Sequence, residues 1–375
     1  MRNIVIIHFM PLELYPPIQN FIRFLEKTPV DKQVYIFSLV NVSGGVSEFV
    51  SHSSHIKIIR LGKPDKKSIA FIRAINYTVF YVGCLWKLIT KKPTTVLYYE
   101  TISSFPAYIY KRFFNSKVKV MVHYHEYTAP EEYNDSMVLN KFFYRYEKWI
   151  YPRATWISHT NTWRMKQFMH DISPVSVAGQ AHILPNYPPA SWKHSGKEKI
   201  MLPLKVIYAG ALSMKTMFTK EFAAWVVRQN GRVIWDIYSL NITADAIAFL
   251  ESIPSQWISL KKGVDYAALP EVIKKYDVGV ILYKGHIDNY IYNAPNKLFE
   301  YWACGLDVWF PKIMTGSLPY ITQGVYPKIA AVDFEDLNTL DLESAIDRSG
   351  ISYSPSGFYA EDTFNDMADC VFSNS

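Results

Sequence analysis

The feature that most constrains this chain is a rhythm that runs twice with one interruption. Short apolar runs at Ile4–Phe9, Val34–Val40, Ile56–Leu61, Thr95–Tyr99, Val118–His123 and Thr155–Ser158 read as strands. Between them, Ile18–Glu26, Ile69–Thr90, Ser104–Phe114 and Leu139–Ile150 carry apolar residues at helical spacing, as with Ile18, Phe21, Ile22 and Leu25. Strands apolar throughout and separated by helices form a parallel sheet covered on both faces. The segment Leu184–Lys199 then breaks the pattern with Pro185, Pro188, Pro189 and Gly196, the composition of a linker. After it come predicted strands at Lys205–Tyr208, Val233–Tyr238, Trp257–Lys261, Val278–Tyr283 and Asp307–Phe310. Their helices are predicted at Phe218–Gln229, Ala244–Glu251, Pro270–Lys275 and Asn296–Cys304. The expected class is α/β: two doubly wound, Rossmann-like domains in tandem, residues 1–185 and 205–354, joined by a linker at 186–204. Open sheets of this kind bind ligands outside the carboxyl ends of their strands, so a cleft between two such domains is the default site.

Composition narrows the class further. With 49% hydrophobic and 19% charged residues, the 375-residue chain is not a disordered one. No apolar run reaches the ~20 residues of a membrane-spanning helix. Cys84, Cys304 and Cys370 are far apart and lack Cys-x-x-Cys spacing, which argues against a disulfide scaffold and a zinc site. Met1 leads straight into a strand-like run, without a signal-peptide cleavage region, so a cytoplasmic location is expected. Charge is uneven: residues 1–190 hold 23 Lys/Arg against 12 Asp/Glu, the remainder 17 against 21. Residues 60–92 carry eight Lys/Arg and one acid, Asp65, among Phe71, Tyr77, Phe80, Tyr81 and Trp86. Residues 111–119 add Lys111, Arg112, Phe113, Phe114, Lys117 and Lys119. Such mixtures suit an anionic membrane surface, the alternative being a core helix over Ile69–Ile89. No nucleic-acid-binding module accompanies them, and no nucleic-acid partner is expected.

The stretch Tyr292-Asn-Ala-Pro-Asn-Lys-Leu-Phe-Glu-Tyr-Trp-Ala-Cys-Gly-Leu-Asp-Val is the most informative. Pro295 is tolerated only in a first helical turn, so a helix is expected to begin near it with Asn293 as its cap. Unpaired amides in that turn, with Asn296 and Lys297, make an anion site suited to phosphate. Glu300, three residues on, lies on the same face and can reach a pair of hydroxyls. Amides, lysine and carboxylate in one line suit a diphosphate followed by a ribose; a surface Lys-Glu pair on an ordinary helix is the alternative.

This stretch resembles the donor motif of GT-B glycosyltransferases, especially the retaining family 4 (group 1) of bacterial surface polysaccharide synthesis. Pro295, Lys297, Glu300, Tyr301, Ala303, Gly305 and Val308 match its Pro-x-Lys-x-x-Glu-Tyr-x-Ala-x-Gly-x-Pro-Val run, with Asp307 in place of Pro. Tyr208-Ala-Gly-Ala-Leu resembles the first strand and turn of the family's second domain, placing Gly210 at the donor. His182-Ile-Leu-Pro-Asn-Tyr resembles its entry to the linker, and Val264-Asp-Tyr-Ala-Ala-Leu-Pro its base-binding loop. Tyr276-Asp-Val-Gly-Val resembles the following strand, whose end carries Tyr283. There are departures. Asn293 stands where the family's first glutamate faces the donor sugar, Ala211 where an arginine is common, with Lys215 as a substitute for diphosphate contact.

In the first domain, Val120-Met-Val-His-Tyr-His-Glu-Tyr puts His123, His125 and Glu126 at the carboxyl end of a strand. It resembles the family's His-Glu segment near sugar and acceptor. Glu100 ends the preceding strand and His8 ends the first. The resemblance implies a metal-independent hexosyltransferase using a nucleotide sugar, UDP-linked by preference, with no other cofactor. It implies a lipid-linked glycan acceptor, retention at the transferred carbon, and a peripheral position on the inner face of the membrane. His125, Glu126 and Glu100 form the expected catalytic set, with His8 and His123 lining the cleft. Under inversion Glu126 or Glu100 would act as base. Residues 355–375 are expected to pack back on the first domain. The departures leave two other readings, a non-catalytic partner of an active transferase and a nucleotide-sugar 2-epimerase.

Overall fold

The computed structural model describes residues 3–28, 32–41, 46–63, 69–135 and 138–373. The chain divides into two compact units, residues 1–186 with 360–375, and residues 187–359.

In the first unit seven strands form one parallel sheet: Asn3–His8 (β1), Gln33–Ser38 (β2), Ile56–Arg60 (β3), Thr95–Tyr99 (β4), Lys119–Tyr124 (β5), Trp156–His159 (β6) and Ala181–Ile183 (β7). Their order is β3-β2-β1-β4-β5-β6-β7, the doubly wound arrangement, with its reversal between β1 and β4. Side-chain alternation gives two cores from one strand. Val5 and Ile7 enter a cluster with Phe80, Val96, Val120 and Ile157, whereas Ile4 and Ile6 join Ile18, Phe21, Leu97 and Met121. The helix Ala360–Phe372 closes the second cluster through Phe364, Met367 and Val371, and Thr95 donates a hydrogen bond to the Val371 carbonyl at 3.1 Å.

The second unit repeats the plan. Leu204–Ala209 (β8), Val233–Ser239 (β9), Ile258–Lys262 (β10), Val278–Val280 (β11), Asp307–Pro311 (β12) and Ile329–Val332 (β14) make a parallel sheet ordered β10-β9-β8-β11-β12-β14. The short strands Val325–Tyr326 (β13) and Ser352–Tyr353 (β15) pair separately. The order again reverses between β8 and β11. Both units are therefore Rossmann-like α/β domains.

Several expectations are corrected in detail. The stretch Ser104–Phe114 is an α-helix only to Ile109 and widens into a π-type turn over Tyr110–Phe114. The strand expected to reach Tyr283 ends at Val280. Arg60 is bound to Glu13 at 2.5 Å and to Ser38 at 2.7 Å, and buried Lys111 donates to the carbonyls of Ser116 and Val118. Neither belongs to a basic surface. Asp65, Lys66 and Lys67 lie outside the described residues. No described helix is long and apolar enough to cross a membrane.

Candidate functional site

The reversal between β8 and β11 carries the first site. The helix Asn296–Ala303 begins there, its buried Leu298, Phe299, Tyr301 and Trp302 fixing it to the sheet. Glycine at position 279 in β11 makes this seat possible, since a Cβ there would stand 2.1 Å from the Tyr301 ring. The Ala209 N–H, at the end of β8, donates to the Tyr301 hydroxyl at 2.9 Å. Pro295, not Asn293, occupies the cap position, and it offers no side-chain acceptor. The helix starts at Asn296, two residues too late for Asn293 to cap it, and the Asn293 backbone carbonyl accepts from the Ser317 hydroxyl at 2.8 Å. The first amides, at Asn296 and Lys297, thus keep no capping side chain.

Lys297 reaches over the turn that follows β8. Gly210 there has φ +139°, and a Cβ on it would lie 2.6 Å from Lys297 Cε and 2.7 Å from Nζ. The ammonium stands 5.6 Å from the Tyr208 ring centroid and 5.9 Å from that of Tyr283, which stacks on Tyr290. Burial works against its charge, but Tyr283, Tyr208 and Glu300 together hold its pKa above the ordinary value. Glu300 is buried beside it. Burial pushes its carboxyl up to about 7, against the opposing effects of the Lys297 charge and a hydrogen bond from Tyr266. Tyr266 directly follows Asp265 and Val264, so the half-buried Val264 loop and Glu300 are joined through that phenol. Lys215 is exposed, with its backbone N–H on the Ser213 hydroxyl at 3.2 Å. Asp307, the departure from Pro, is explained structurally: its carboxylate accepts from Arg348 at 2.8 Å and from the Lys328 N–H at 2.7 Å.

The second site lies at the reversal between β1 and β4. A cavity of about 280 Å³ is lined there by His8, Tyr15, Tyr99, Glu100, His125 and Glu126, among others. Four residues singled out in the sequence thus meet around one space: His8, Glu100, His125 and Glu126. His8 ends β1 with Nδ1 3.0 Å from the Met10 carbonyl; burial and then His125 lower its pKa to about 3. Burial lowers His125 to about 4, with the Arg164 charge in the same direction and the Asn186 side chain opposing. Among the described residues no group makes a well-aligned hydrogen bond to either His125 ring nitrogen, although the Asn186 side chain is near enough to favour the protonated ring. The ring stacks on Tyr99 at 5.3 Å. Glu100 Oε1 accepts from the His125 N–H at 2.6 Å, yet burial raises this carboxyl to about 8. Glu100 also sits at φ +63°, ψ 154°, a region that costs a side-chain-bearing residue roughly 1–3 kcal/mol. Glu126 is exposed at the rim. His123 does not line the cavity. It is buried beneath, edge-on to His125 at 4.8 Å and bonded to the Ser158 hydroxyl at 2.9 Å.

Sequence reasoning missed Tyr266, Tyr208 and Tyr99 as site residues, and Arg164, whose guanidinium binds the His125 carbonyl from the helix Thr162–Asp171. Only Tyr266 and Tyr208 had a signal, since both fall inside motifs noted above. Among the described residues, no three His, Cys, Asp or Glu side chains are grouped to hold a metal ion.

No family model and no curated protein sequence matches the chain. Solved structures do. The lipopolysaccharide outer core galactosyltransferase WaaB, apo form, matches with a TM-score of 0.62 at 14% identity, covering 99% of each chain. Anabaena Alr3699/HepE in complex with UDP and glucose matches with a TM-score of 0.62 at 9% identity, over 100% of this chain and 96% of that one. A UDP-N-acetylglucosamine 2-epimerase matches with a TM-score of 0.56 at 12% identity, over 99% and 96%. The fold is the GT-B fold of glycosyltransferases, built from two Rossmann-like domains.

Proposed function

We propose that this chain is a metal-independent glycosyltransferase of the retaining, family 4 type. It moves a hexosyl group from a UDP-sugar to a lipid-linked glycan in cell-surface polysaccharide synthesis, at the inner face of the cell membrane. The observation that carries the reading is the Lys297–Glu300 arrangement at the β8–β11 reversal. Lys297 and the uncapped amides of Asn296 and Lys297 take the diphosphate, and Glu300 with Tyr266 takes the ribose hydroxyls. Gly210, Val264, Tyr283, Asn293 and Pro295 shape this donor site, and Lys215 acts only from its edge. Negative charge grows on the departing diphosphate in the transition state, and Lys297 stabilises it in a site that burial keeps low in dielectric. With retention, the leaving phosphate takes the acceptor proton, so no protein base is obligatory.

In the first domain His125 and Glu126 contact sugar and acceptor, Glu100 fixes the His125 backbone, and His8 lines the acceptor cavity. His123 supports His125 from below. The bound UDP and glucose of the HepE structure support the choice of nucleotide. Calorimetric titration with UDP, GDP and CMP, without metal and then with magnesium, tests the reading. UDP is expected to bind without metal; failure of all three nucleotides would remove it. The epimerase likeness keeps a second reading in view. Incubation with UDP-N-acetylglucosamine alone separates the two, because only an epimerase returns a C2-inverted sugar without an acceptor.

A further inference from the structure

The helix Ala70–Lys91 has two apolar faces, and only one is used by the fold. Phe80, Cys84 and Leu88 are buried in the core of the first unit. Phe71, Ile75, Val79, Val82 and Trp86 are between 47% and 71% exposed. At 100° per residue these five fall within an arc of about 80°, centred opposite the buried three. A helix lying on a sheet ordinarily turns polar side chains to water at those positions. Phe113 and Phe114, 65% and 54% exposed, extend the surface from the neighbouring Tyr110–Phe114 turn, which packs against this helix. Seven large apolar side chains on adjoining elements exceed the scattered exposure normal for a soluble surface.

Charge identifies what covers them. Between residues 69 and 125 the sequence has, besides the buried Lys111, seven Lys/Arg and a single acid, Glu100, which lies in the cavity at the end of β4. Lys92, Arg112 and Lys117 are exposed, and Lys87 is half-exposed. A second copy of this chain would bring like charges together, whereas an anionic lipid surface satisfies both the cations and the apolar stripe. We propose that Phe71, Ile75, Val79, Val82 and Trp86, with Phe113 and Phe114, enter the acyl boundary of an anionic membrane, the helix lying in the interface plane rather than crossing it. The face is also tied to the cavity of the first unit: Tyr81 of the same helix donates to the Ile102 carbonyl at 2.9 Å, and Ile102 lines that cavity. Docking therefore anchors the wall of the site assigned to the acceptor. In this the inference rests on the transferase reading, giving its membrane partner a surface and a mode of contact, but its test uses no activity.

The full chain is sedimented with vesicles of phosphatidylcholine alone and with a third of phosphatidylglycerol. It is expected to bind the anionic vesicles, and the triple variant Phe71→Ser, Val79→Ser, Trp86→Ser to bind at least tenfold less. Because all three side chains face solvent, the variant should keep its melting temperature. Should it unfold, brominated acyl chains give an independent readout: they should quench tryptophan fluorescence of the unmodified chain, and less so in Trp86→Phe. Equal vesicle binding by the triple variant would overturn the proposal, as would no vesicle binding by the parent or no bromolipid quenching. A parent dimer that the triple substitution converts to monomer would also overturn it, assigning the stripe to a second copy. UDP titration of the same proteins is read separately, so loss of the transferase reading would leave the vesicle result standing.

Discussion

The two sheet reversals hold sites of opposite electrical character, although the strand order that builds them is the same. At β8–β11, an ammonium and a carboxylate sit three residues apart on one helix, and Lys297 is held in its charged form. At β1–β4, burial drives three groups toward neutrality: His8 to about 3, His125 to about 4 and Glu100 to about 8. One site is pre-charged for an anion; the other keeps its buried groups neutral and is rich in groups that can donate or accept a hydrogen bond. Under the transferase reading, the difference assigns binding energy to the second domain and positioning to the first.

The sharpest way to break that division is to remove one residue from each side. Lys297→Ala should weaken UDP binding about 100-fold or more, since charge-assisted phosphate contacts are lost from a buried site. Glu100→Ala removes the acceptor for the His125 N–H and should leave UDP affinity within about twofold, while sugar transfer falls by roughly 10²-fold. Calorimetry and a transfer assay on both variants decide the matter; a loss of UDP affinity in Glu100→Ala would collapse the comparison.

Gly210→Ala should act on the second domain alone. Its Cβ meets the Lys297 side chain and its φ is strained for alanine, so UDP affinity is expected to drop about tenfold and stability by about 1–3 kcal/mol. Denaturant melts and titration would separate the two effects.

The smallest effects are in pH. Glu300 titrates near 7, and only its carboxylate accepts both ribose hydroxyls, so UDP affinity should rise severalfold from pH 6 to pH 8 and flatten in Glu300→Gln. For Glu100 the folded pKa is raised above the unfolded one. Its favourable contribution is therefore complete below about 4.5 and is lost as pH rises toward 8. Thermal melts of the parent should fall across this window more steeply than those of Glu100→Gln.

How far each site could be foreseen follows from how it is assembled. Lys297, Glu300 and the helix holding them are contiguous, so spacing alone put them on one face, and Gly210 fell in a recognisable turn. The Rossmann strands were equally legible, because β1, β4 and β5 are apolar on both faces. The cavity of the first unit draws His8, Glu100 and His125 from three separate strand ends, and their common space depends on strand order. Nothing local announces Arg164 or Tyr99, whose roles arise from packing. Ala181–Ile183 is too short to carry a period. Asn293 has a residue type that suits a cap, but the helix begins only at Asn296, with Pro295 in the cap position.

The pairing of the Ala360–Phe372 helix with β4 and the Pro16–Lys27 helix has a consequence for how the chain is made. The second domain is an insertion within the first. A ribosome delivers everything the second domain needs by residue 359, while the first still lacks the helix Ala360–Phe372. The amino-terminal half is thus the later of the two to be completed. A short carboxyl-terminal deletion should strip cover from Ile4, Ile6 and Leu97, at the opposite end of the sequence, and spare the half next to the cut.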